Sequence, residues 1–72
     1  MSKLANISGR DAAKAFQKVG WQVRGQVGSH LLTKPGLRAN LTIPQHPEVA
    51  KGKLRNLIKI SGLTVDQFLD LL

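Results

Sequence analysis

The sequence predicts an α+β fold: a three-stranded antiparallel sheet with helices on one face, in the order α-β-β-β-α with a short helix at the end. Two observations carry the prediction. Apolar residues recur at i, i+3, i+4 and i+7 near both ends of the chain, which is one stripe of a helix. Between them lie short alternating runs separated by tight turns, which is the pattern of a meander.

Ser8 is suited to cap the first helix, and Asp11, three residues on, favours the positive helix start. Ala12, Ala15, Phe16 and Val19 then form the apolar stripe, with Arg10, Lys14, Gln17 and Lys18 on the other side and Gly20 as the stop. This helix is expected over 9–19. Trp21, Val23 and Val27 alternate with Gln22, Arg24 and Gln26, giving a strand with a bulge expected at Gly25. Gly28-Ser29 reads as a turn and His30 to Thr33 as a second strand. Pro35-Gly36 suits the centre of a type II turn, and Ala39 to Ile43 alternates as a third strand. Pro44 and Pro47 end the sheet. Lys51 to Ser61 forms a helix with Ala50, Leu54, Leu57, Ile58 and Ser61 on one side, and Gly62 stops it. Thr64 caps a last helix carrying Val65, Phe68, Leu69 and Leu72. The whole is the layout of a double-stranded-RNA-binding-domain-like fold, with one sheet face left free.

Seventy-two residues make one domain, spanning 1–72. A chain of this size buries only ~60% of its unfolded surface, so binding or chemistry is expected on an open face. Cysteine is absent, which excludes disulfides and a Cys-based zinc site. The two histidines and four acids are scattered and do not resemble a metal site. The first residues lack an apolar targeting segment and no run approaches a membrane span, so a soluble cytoplasmic protein is expected.

Eleven Lys and Arg stand against four Asp and Glu, a net charge of +7. The charge is also segregated. No acid lies between Asp11 and Glu48, a span that holds Lys14, Lys18, Arg24, Lys34 and Arg38. Lys51, Lys53, Arg55 and Lys59 form a second basic group. A small basic domain of this kind points to a polyanionic partner, nucleic acid or an acidic protein. Aromatic content is low, so a platform for stacking single-stranded bases is not expected.

His30 is the leading chemical candidate. An imidazole can give or take a proton near neutral pH. RNA carries its own nucleophile, the 2′-hydroxyl, so cleavage needs a proton-transfer group and cations more than a Ser or Cys. Arg24, Lys34 and Arg38, on or beside the meander, are candidate phosphate clamps, with Ser29 beside the histidine and Lys51 and Arg55 more distant. A lone histidine at the start of a strand is more often a surface or hydrogen-bonded residue than a catalyst, and spacing alone favours that reading. Its direction depends on which leucine is in the core. A buried Leu31 would turn His30 outward beside Lys34 and leave Leu32 exposed for a partner to cover. His46, in a proline-bounded loop, reads as structural.

The chain resembles the HicA (YcfA-like) toxins of toxin–antitoxin pairs over nearly its whole length. The resemblance rests on Ser8-Gly9-Arg10-Asp11 with Phe16, Val19 and Gly20-Trp21, on Gly28-Ser29-His30, on Ile43-Pro44 with His46, and on Gly52-Lys53-Leu54-Arg55 followed by Ile58, Gly62 and Phe68-Leu69. It implies a metal-independent mRNA interferase with His30 catalytic and no cofactor. It also implies a HicB-type antitoxin that occludes the active face. The chain departs from many relatives at Leu31, where they carry a second His or another polar residue, and at Lys53, where they carry Thr or Ser. A non-catalytic RNA-binding module of the same fold, or a subunit that binds an acidic protein, would share the charge pattern.

Overall fold

The structure is a computed structural model that describes residues 4–25 and 28–72. Its elements follow the order α1 (Gly9–Gln17), β1 (Gln22–Gly25), β2 (Ser29–Thr33), β3 (Asn40–Pro44), α2 (Lys51–Ser61) and α3 (Val65–Asp70). The strands form one antiparallel sheet in the order β1-β2-β3.

The Ser8 side chain caps α1 by accepting from the Asp11 N–H at 3.0 Å. Its apolar stripe, with Ala12, Ala15 and Phe16 buried, lies on the sheet. The helix ends at Gln17 rather than at residue 19, because the chain tightens there: the Val19 and Gly20 N–H groups donate to the Phe16 and Gln17 carbonyls. The bulge expected at Gly25 is present. Val23 pairs with Leu32 while Gly25 pairs with Leu31, so Arg24 is the extra residue. The expected end of that first strand, at residues 26 and 27, lies outside the described residues. Gly36 has φ +85°, and the Leu37 N–H donates to the Lys34 carbonyl at 3.0 Å, as a type II turn requires.

The direction of β2, open in the sequence, is settled by burial. Leu32 is 0% exposed and Leu31 is 37% exposed, so Leu32, not Leu31, is the core residue. The cause is pairing: Leu32 stands opposite Leu41 and Val23, and His30 opposite Ile43, with Leu41 and Ile43 wholly buried. His30 therefore belongs to the helix-covered face, near its edge. The free face carries Gln22, Leu31, Thr33, Asn40 and Thr42.

Leu54, Leu57, Ile58 and Ser61 of α2 are buried, but Ala50 is exposed and serves as the helix N-cap without a side-chain hydrogen bond. Thr64 and Gln67 make a reciprocal capping box at α3. The rings of Phe16 and Phe68 meet at 5.0 Å and 40°, joining α1 to α3. Among the described residues no helix is long and apolar enough to cross a membrane.

Candidate active site

Where α1 leaves the sheet edge, a cleft of about 660 Å³ opens. That volume is within the ~300–1,000 Å³ range of ligand sites. One wall is α1: Arg10, Ala13, Lys14 and Gln17 line it, at i, i+3, i+4 and i+7. Ala13 is the small member of the stripe and leaves the space between the longer side chains. The floor is the sheet, through Val23 and His30. A further wall is the segment after β3, through Gln45, His46 and Pro47.

His30 is half-buried, the second residue of β2, and follows Gly28, whose φ of +75° is a left-handed turn conformation that glycine adopts without strain. Its Nδ1 is buried and makes no hydrogen bond. Packing rather than a hydrogen bond therefore holds this edge of the ring. Nε2 is left as the nitrogen through which the ring can exchange a proton with the cleft.

The wall after β3 is laced to the start of α1. The Gly9 N–H donates to the His46 carbonyl at 3.0 Å, and the Val49 N–H to the Ile7 carbonyl at 2.8 Å. The Asn6 N–H donates to Glu48 Oε2 at 2.9 Å. Gly9 is a steric requirement: a Cβ there would overlap the Pro44 carbonyl oxygen. Backbone approach of this kind fixes the exposed His46 beside the cleft although it lies far from His30 along the chain.

Among the described residues the lining contains two imidazoles, one guanidinium, one ammonium and no carboxylate. Such a site is electropositive and suits a phosphate group. Among the described residues, no group of three or more His, Asp or Glu side chains is placed to hold a metal ion.

The cations singled out from the sequence lie elsewhere. Arg24 is exposed, and its Nε donates to Thr33 Oγ1 at 3.1 Å across the free sheet face. Ser29 precedes His30 on β2 and points to the opposite face by alternation. Lys34 lies past the other end of β2 with its stem over Gly20. Arg38 is exposed between β2 and β3, and Lys51 and Arg55 are exposed one turn apart on α2. None of these lines the cleft. The sequence places Arg10, Lys14 and Gln17 on the polar side of a helix and His46 in a proline-bounded loop, and neither position by itself marks a site residue. The signal was present in part: the polar stripe of α1 keeps its helical spacing through a small residue, Ala13.

A family model described as the HicA toxin of bacterial toxin–antitoxin systems matches residues 9–63. That span contains every residue of the cleft except Ser8. No match is found among curated proteins.

Proposed function

The chain belongs to the HicA toxin family, and from that premise we propose that it is an endoribonuclease that cuts mRNA through His30. As a family member it is the toxin of a toxin–antitoxin pair and has an antitoxin partner. The single observation that carries the finer reading is the cleft itself: a half-buried imidazole with its Nδ1 sealed, lining one space with Arg10 and Lys14, and no carboxylate among the described lining residues.

The chemistry follows from RNA. Nε2 of His30 takes the proton of the 2′-hydroxyl, and that oxygen attacks the adjacent phosphorus. Arg10 and Lys14 stabilise the charge that builds on the non-bridging oxygens. Neither a protein nucleophile nor a cofactor is called for. Arg24, Lys34, Arg38, Lys51 and Arg55, outside the cleft, hold flanking phosphates, with Ser29 beside the strand turn. These contacts give affinity without sequence information, so binding falls steeply with salt. The partner is a HicB-type antitoxin with an acidic surface that complements this charge and closes the cleft.

The test is cleavage of an mRNA by purified protein in excess EDTA, wild type beside His30→Ala, with the fold of both checked by circular dichroism. Cleavage that survives EDTA and is lost in the folded variant supports the reading. Equal cutting by both proteins, or none by either, contradicts it.

A further inference from the structure

We infer that His46 is the second proton-transfer group of the cleft, the acid that protonates the leaving oxygen; this rests on the ribonuclease reading of His30. Phosphodiester cleavage by the 2′-hydroxyl moves two protons. One leaves O2′ as it bonds to phosphorus. The other must reach O5′ as the phosphorus–O5′ bond breaks and its electron pair goes to that oxygen. His30 provides for the first step only.

The cleft offers few groups for the second. Among the described residues its titratable lining groups are His30, His46, Arg10 and Lys14. A guanidinium does not give up its proton in a protein. His46 and Lys14 remain, and the placement favours His46. It comes from the segment after β3, whereas His30 comes from β2, so the two imidazoles reach the cleft from different elements. Its backbone is held with unusual care for a loop: the Gly9 N–H grips its carbonyl, Gly9 is the residue whose missing Cβ allows that approach, and Pro44 and Pro47 restrict the chain on either side. A group that must meet a reacting atom needs such a fixed support. In the resulting step, His30 gains the 2′-proton, the His46 imidazolium loses its proton to O5′, and the products are a 2′,3′-cyclic phosphate and a 5′-hydroxyl. Exchange with water resets both rings.

The experiment compares two oligoribonucleotides: one natural, and one with sulfur in place of O5′ at the mapped cleavage position. A thiolate leaves without protonation, so the sulfur substrate needs the base but not the acid. His46→Ala is expected to slow the natural substrate ~10²-fold or more, the usual worth of a general acid, and to cut the sulfur substrate at close to the wild-type rate. His30→Ala is expected to lose both. The tether to Gly9 uses the His46 backbone, so the alanine variant keeps it; His46→Gln provides a second variant with a polar side chain. Equal loss on both substrates, or no loss on the natural one, overturns the assignment while leaving His30 intact. The same split appearing in Lys14→Ala instead gives the role to the ammonium and also overturns it. Absence of cleavage by the wild type removes the ribonuclease reading and this inference with it.

Discussion

At one end of the sheet His30, His46, Arg10 and Lys14 converge on a cleft whose outer wall is tied by backbone to the start of α1. At the other end Lys34, Pro35, Gly36 and the exposed Arg38 belong to a surface turn and the segment after it. Both ends are basic. Only the first gathers its cations around imidazoles, in a space walled on three sides by helix, sheet and loop. Net charge and charge clustering thus show that a polyanion is wanted, and packing shows where its reactive part is held.

The comparison can be broken from its strongest side first. His30→Ala is expected to lower RNA cleavage by ~10²–10⁴-fold, the range for a lost acid–base group, while the unfolding midpoint stays close to wild type. A large drop in that midpoint would recast the residue as a packing element. The two leucines of β2 provide the next contrast. Leu32→Ala removes a fully buried side chain and is expected to cost ~2–5 kcal/mol in urea unfolding, whereas Leu31→Ala on the free face costs about 0.5 kcal/mol or less. Reversal of that order would contradict the assignment of the sheet faces, and with it the place of His30. A smaller effect is expected at the wall. Gly9→Ala forces a methyl group against the Pro44 carbonyl and is expected to cost ~1–3 kcal/mol, with cleavage reduced beyond what the lost folded fraction explains. Unchanged cleavage in a stably folded Gly9→Ala protein would mean that the tether to His46 has no functional role.

Much of this fold is written locally. Ser8 and Asp11, Thr64, and Pro35-Gly36 each fix a cap or turn within four residues, and each is formed as the sequence predicts, with Gln67 completing the cap at Thr64. The bulge at Gly25 is local too. What the chain does not state locally is the face of β2. Leu31 and Leu32 put an apolar residue on both faces, and only pairing with Leu41, Ile43 and Val23 breaks the tie. The site shares that limit. The motif Gly28-Ser29-His30 marks one residue of the cleft, but its partners come from α1 and from the segment after β3. They reach it through the close approach at Gly9, a contact between segments far apart in sequence. Reading charge in order along the chain favours Lys34 and Arg38, which are near His30 in sequence. It passes over Arg10 and Lys14, which share the cleft with it.

The most direct test sets the two ends of the sheet against each other. Steady-state cleavage of one RNA at fixed salt would be measured for the double variants Arg10→Ala/Lys14→Ala and Lys34→Ala/Arg38→Ala. The cleft pair is expected to lose ~10²-fold or more in kcat, as groups that stabilise transition-state charge do. The turn pair is expected to raise KM and flatten the salt dependence with kcat little changed. A loss of kcat at the turn pair that equals or exceeds the loss at the cleft pair would contradict the account and move the reactive phosphate to the other end of the sheet.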